Sequence, residues 1–192
     1  MWIYNGRALI VMSGILLLLA AQLTFAGCAI NPDAQGHVTI PYGARSIPKG
    51  AFYRCLTLRT VTLPYTITDI GNHSFRQSGL KTISIPASVV DIGYAAFAQC
   101  GNLRSATIKA FTVPTNMKIG AYAFYQCSSL ASLTIGDSVT SIGGYAFYTC
   151  SSLASVTIPD SVTSIGGSAF SQCSSLASVT IGDSVTSIGG SA

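Results

Sequence analysis

Apolar positions recur along this chain with a period of about 23 residues. Phe stands at 52, 75, 97, 124, 147 and 170, at intervals of 23, 22, 27, 23 and 23. Three residues after each Phe comes a Cys, at Cys55, Cys100, Cys127, Cys150 and Cys173, with Ser78 in the second unit. A Leu follows, at Leu58, Leu80, Leu103, Leu130, Leu153 and Leu176. Then comes a short alternating piece: TVTL, TISI, SATI, SLTI, SVTI and SVTI, with a leading HVTI from His37 to Ile40. Alternation places successive side chains on opposite faces of a strand. In the fifth unit Val156 and Ile158 face a core, and Ser155 and Thr157 face water.

A unit of this length cannot bury its own apolar side, so successive units must stack. The pattern predicts one short strand per unit, with strands of neighbouring units parallel and about 4.8 Å apart. Pro41, Pro64, Pro86 and Pro159, or Gly136 and Gly182, follow the strand and end its pairing. In "SVTSIGG" Val162 and Ile165 return to the core, and the pattern leaves the far side open between extended chain and turns or short helical segments. The Phe124–Ala146 and Phe147–Ala169 stretches agree at 19 of 23 positions. Unit two lacks one residue at "RQSGL", and "KAFTVPTNMKIGAYA" is four residues longer than its counterparts. That insertion, around Pro114, should leave Ile108 and Ile135 on neighbouring rungs.

"LASVTIP" fits the L-x-x-V-x-I core of leucine-rich repeats, and "SVTSIGGSAF" followed by Cys resembles the BspA-like (Treponema pallidum type) leucine-rich repeat family. The resemblance covers about Val38 to Ala192. It implies a curved leucine-rich repeat solenoid with a parallel β-sheet on the concave side. It also implies a secreted or surface-attached protein acting in adhesion and protein binding. That functional implication comes from the family, not from a site.

The N-terminus changes the picture next. Arg7 precedes the apolar run "ALIVMSGILLLLAAQL", and Thr24-Phe25-Ala26 supplies small residues at the positions a signal peptidase reads. The run of 16 residues is shorter than the roughly 20 that span a bilayer. The expected organisation is a signal peptide over 1–26, a short linker over 27–36 and a repeat domain over 37–192. That domain holds six repeats after a leading partial unit, with no evident C-terminal cap. "FAGC" also resembles a bacterial lipobox and makes Cys28 a candidate lipidation site, although Phe25 departs from the usual Leu.

Charge is scarce, at 8% of residues against 49% hydrophobic, and there is no Glu. Nine Lys/Arg and three Asp lie from Cys28 to Lys118; three Asp and no base lie beyond. Nothing resembles the clustered basic face with aromatics that nucleic acid requires. The ladder Cys should be buried, reduced thiols acting as small hydrophobes, and stacked thiols do not converge on a metal. Asp137, Asp160 and Asp183 are read as turn residues capping their own backbone rather than as a Ca²⁺ site. Asn72 heads an N-H-S glycosylation sequon. No Ser/His/Asp set recurs and no phosphate loop follows a strand, so no enzyme, cofactor or metal is expected.

The expected function is non-enzymatic protein–protein or cell-surface interaction with an unknown protein or surface ligand. Membrane contact would come only through an N-terminal anchor. The alternative is a structural repeat array, or part of a larger surface protein, with no dedicated ligand. Candidate contact residues are Thr107, Thr134 and Thr157 on the strand face, with Arg59 and Arg104 beside the strands.

Overall fold

The computed structural model describes residues 2–4, 7–9, 27–109 and 116–192. Strands are numbered in chain order. A short antiparallel pair, β1 (Trp2–Tyr4) with β2 (Arg7–Leu9), lies in the N-terminal stretch. The rest of the expected signal segment, and the insertion around Pro114, lie outside the described residues. Among the described residues no helix is long and apolar enough to cross a membrane.

From His37 onward the chain winds as a parallel β-solenoid. Each coil contributes a strand to a first face: β3 (His37–Thr39), β5 (Thr60–Thr62), β7 (Thr82–Ile85), β9 (Ser105–Ile108), β11 (Ser132–Thr134), β13 (Ser155–Ile158) and β15 (Ser178–Ile181). These pair in parallel as β3–β5, β7–β9–β11 and β13–β15. The predicted alternation is present: β13 reads exposed, buried, exposed, buried from Ser155 to Ile158. Leucine-rich repeat architecture is therefore what the periodicity builds.

The far side, which the sequence leaves open between extended chain and turns or short helical segments, holds a second short strand per coil: β4 (Ser46–Ile47), β6 (Asp69–Ile70), β8 (Asp91–Ile92), β10 (Met117–Ile119), β12 (Val139–Ile142), β14 (Ser164–Ile165) and β16 (Ser187–Ile188). They form one continuous seven-stranded sheet. Most of these strands are two residues long, too short to show an alternation. Their inward residues, such as Val162 and Ile165, are three apart, which matches no strand period. The sheet exists because stacking brings each N–H to a carbonyl one coil back, as Gly143 donates to Ile119 at 2.8 Å.

The insertion leaves the first sheet in register: Ser105, Ala106 and Thr107 pair with Ser132, Leu133 and Thr134. Ile108 and Ile135 thus occupy adjacent rungs. The second sheet absorbs the irregularity as a bulge, where Met117 pairs with Val139 but Lys118 pairs with Ser141.

Six Phe rings stack through the core at centroid separations of 5.0–5.2 Å, nearly parallel from Phe52 to Phe170. Around each ring the backbone makes a corner, with positive φ two residues before and two after Phe. Tyr122 (φ 60) and Gln126 (φ 56) flank Phe124 in this way. A non-Gly residue there carries a modest steric cost, offset by bonds between coils: Tyr122, Phe124 and Gln126 donate to the carbonyls of Gly144, Ala146 and Tyr148 at 2.7–3.0 Å. After the second strand Gly is needed for closeness. A Cβ on Gly143 would sit 2.5 Å from the Ala121 nitrogen, and one on Gly166 2.4 Å from the Gly144 nitrogen.

In the last coil the inward residues Val179, Ile181 and Ile188 are about half exposed, because no coil packs on them among the described residues.

Candidate interaction surface

The side chains that leave the first sheet outward are mostly hydroxyls in register. Thr107 opposes Thr134, and Thr157 opposes Thr180. Thr134 and Thr157 are exposed and Thr107 is half-buried. Among the described residues these four hydroxyls form no hydrogen bond. The Thr residues in, or immediately before, the second-sheet strands behave differently. Thr68, Thr140, Thr163 and Thr186 donate to the carbonyls of Arg45, Met117, Thr140 and Thr163, one coil back, at 3.1–3.3 Å. One set of hydroxyls holds coils together, whereas among the described residues those of Thr107, Thr134, Thr157 and Thr180 have no partner. At the N-terminal rung His37 orders the hydroxyl rows, with Nδ1 at 2.7 Å from Thr60 Oγ1 and Nε2 at 3.2 Å from both Thr39 and Thr62 Oγ1.

Arg59 and Arg104 lie beside this face, just before β5 and β9. The structure places Lys81 between them, a residue the sequence reading passed over. Its signal was available: Arg59, Lys81 and Arg104 each follow the anchoring Leu by one.

The second sheet carries a shallow groove of about 470 Å³, lined by Asp91, Lys118, Ser141, Ser164, Ser187 and the adjoining glycines. Asp69 and Asp91 are in register there, as are Asp91 and Lys118. Partial burial and the neighbouring Asp69 push the Asp91 carboxyl up, and Lys118 opposes that shift.

A third feature, also unforeseen, runs along the Phe corner. Tyr94, Tyr122 and Tyr145 follow one another at 5.3 and 4.9 Å, and Tyr125 stacks on Tyr148 at 5.4 Å. Tyr94 and Tyr145 are exposed, and Tyr122, Tyr125 and Tyr148 are half-buried. Tyr122, Tyr125, Tyr145 and Tyr148 hold equivalent positions in successive units, so the stack was legible in principle. Beside it Gln77, Gln99 and Gln126 form an amide ladder at 3.1 Å. His73 meets Tyr94 edge-on at 5.3 Å. Burial first, then the charges of Arg76 and Lys49, hold its imidazole below the usual pKa.

The cysteines need one correction. Cys100, Cys127, Cys150 and Cys173 are buried free thiols, each donating to a Phe carbonyl one coil back at 3.0–3.4 Å. Cys55 is not one of them. Among the described residues no complete coil precedes it, and it forms a disulfide with Cys28, with Cα atoms 5.0 Å apart. The candidate lipidation at Cys28 needs a free thiol, and in this structure that sulfur is bonded to Cys55. Within residues 27–36, Cys28 and Ile30 pack against the core and the Ala29 N–H reaches the Ala51 carbonyl at 2.8 Å.

Asn72 is exposed at the Phe corner, its Oδ1 accepting from the Tyr94 N–H at 2.8 Å, while Ser74 of the same sequon is fully buried. The Asp160 carboxylate accepts the backbone N–H of Asp183 at 3.0 Å, a link from coil to coil. Among the described residues no group of His, Cys, Asp or Glu converges to hold a metal.

The family of BspA type leucine rich repeat regions matches residues 24–111 and 104–192, in six copies. The chain belongs to this family. No curated protein matches it. Among solved structures it is similar to a T. pallidum leucine-rich repeat protein, at 28% identity and a TM-score of 0.56, covering 63% of this chain and 56% of that one. It is also similar to a leucine-rich repeat protein of Eubacterium ventriosum, at 22% identity and a TM-score of 0.55, covering 72% of this chain and 43% of that one. The chain spans about half the length of these solved relatives.

Proposed function

We propose that this chain is a secreted or surface-attached, non-enzymatic module that binds a protein or cell-surface ligand through the hydroxyl face of its first sheet. The observation that carries the reading is that the hydroxyls of Thr107, Thr134, Thr157 and Thr180 have no partner among the described residues, whereas those of Thr68, Thr140, Thr163 and Thr186, in or beside the second sheet, bond to the coil behind. Surface polar groups without internal partners are free to exchange water for a ligand. Repetition on a parallel sheet turns them into an extended surface. Two features favour an exported setting: the N-terminal apolar run, and a disulfide at Cys28–Cys55, which persists in oxidising compartments.

The test is capture from cell-surface extracts by the parent chain and by a folded T107K/T134K/T157K variant. Loss of the captured partner in the variant is expected; equal capture by both ends the reading. A second reading is favoured by the groove on the second sheet, whose Ser141, Ser164 and Ser187 form their own row.

A further inference from the structure

We propose that the corner where the chain enters the first sheet, carrying Arg59, Lys81 and Arg104 on three successive coils, binds a linear acidic polysaccharide. The proposal rests on the interaction-face reading above and names the chemistry of its partner. Backbone bonds fix the column: the Lys81 N–H donates to the Arg59 carbonyl and the Arg104 N–H to the Lys81 carbonyl, both at 2.8 Å. The three residues therefore rise one rung at a time, about 4.8 Å each. In the following coils the same position is Ala131, Ala154 and Ala177, so the charge is confined to these three rungs.

Nothing nearby neutralises it. Among the described residues none of the three forms an ion pair. Asp69 and Asp91 belong to the second sheet, where Asp91 lies in register with Lys118. Asp33, near the same end, turns its carboxylate to the N–H groups of Gln35 and His37 at 3.0 and 2.8 Å. Like charges one or two rungs apart repel, and an anionic polymer lying along the column removes that repulsion.

Arg59 is also held in place. Its Nη1 donates to the Leu56 carbonyl at 2.9 Å and the Gly79 carbonyl at 3.3 Å. The short second unit makes room, since a Cβ on Gly79 would lie 2.5 Å from that nitrogen. Nε and Nη2 remain for the two-point grip on a carboxylate or sulfate that guanidinium groups favour. Beside Lys81 and Arg104 stand Thr82 and Ser105, whose hydroxyls have no partner among the described residues. Charges next to free hydroxyls suit a polyol that carries acidic groups. An extended acidic peptide suits the site less, because its same-face side chains repeat at about 6.6 Å, out of step with the rungs.

The test uses the full chain and fluorescent polygalacturonate, with neutral dextran and poly-glutamate as comparisons, at low and high salt. Binding to polygalacturonate that weakens with salt is expected, with a loss of roughly tenfold in K81Q/R104Q, the sum of two or three modest surface contacts. The K49Q/K118Q variant, equal in net charge but away from the column, should bind as the parent does. Arg59 is left intact because it also supports the turn, and melting temperatures confirm that both variants are folded. Equal loss in the two variants, no binding, or tighter binding of poly-glutamate overturns the proposal. If polygalacturonate fails while T107K/T134K/T157K still loses its surface partner, only this proposal falls. If that triple variant keeps its partner, the broader reading falls.

Discussion

The Cys127 thiol donates a hydrogen bond to the carbonyl of Phe97, 3.2 Å away and one coil back. The same bond recurs from Cys150 to Phe124 and from Cys173 to Phe147. Each thiol fills a small apolar space and adds a second donor to a carbonyl that already accepts a backbone N–H, as Phe97 does from Cys100 at 3.3 Å. Replacing Cys127 by Ala should cost about 1–2 kcal/mol, from the lost contact volume and the weakened carbonyl. Replacing it by Asp should cost several kcal/mol, because a carboxyl would be buried without a partner (order of magnitude). Urea denaturation midpoints check both, and the Asp variant must be the worse.

The four ladder thiols should resist modification in the folded chain. Without reductant, denaturation should release four reactive thiols; with reductant, Cys28 and Cys55 raise the count to six. In the native chain Cys173 should react first, since it is 9% exposed while Cys100, Cys127 and Cys150 are fully covered. Six reactive thiols without reductant would contradict the disulfide.

Alkaline pH offers a further check. Burial pushes the Cys100 thiol up from 9.0 to about 11. Between those values the unfolded thiol has lost its proton and the folded one has kept it. The stabilisation is present below about pH 9 and declines as pH rises towards 11. Stability measured by urea should fall over that window, and the fall should be shallower in Cys100→Ser. An unchanged slope in that variant would remove the thiol from the explanation.

Gly143 and Gly101 provide a matched pair. A Cβ on Gly143 would meet the Ala121 nitrogen at 2.5 Å, whereas one on Gly101 meets nothing within 4 Å. Gly143→Ala should therefore destabilise by about 2 kcal/mol or more, through forced separation of two coils. Gly101→Ala should stay within about 0.5 kcal/mol of the parent. Denaturant titration distinguishes them.

Much of the fold was legible because the core is written in single residues at fixed intervals. Phe124, Cys127, Leu130 and Ile135 announce both the stacking and the inward face. The second sheet was not legible, since a two-residue strand such as Ser164–Ile165 carries no periodicity and forms only once coils are stacked. The disulfide was missed for a related reason. Cys55 occupies a ladder position, and among the described residues no complete coil lies behind it, so its sulfur meets Cys28 instead. Of the surface, the Thr rows could be read from alternation. Lys81 was legible from its place one residue after Leu80, and which hydroxyls are already bonded is a tertiary fact.

The account's central claim is that the first sheet, and not the second, meets the partner. The most direct measurement is the affinity of the captured surface partner for two folded variants. T107K/T134K/T157K places bulk and charge on the first sheet, and S141K/S164K/S187K places the same on the second. The account predicts that the first variant loses binding and the second retains it. Loss only in the second variant would contradict the account and move the site to the groove beside Lys118.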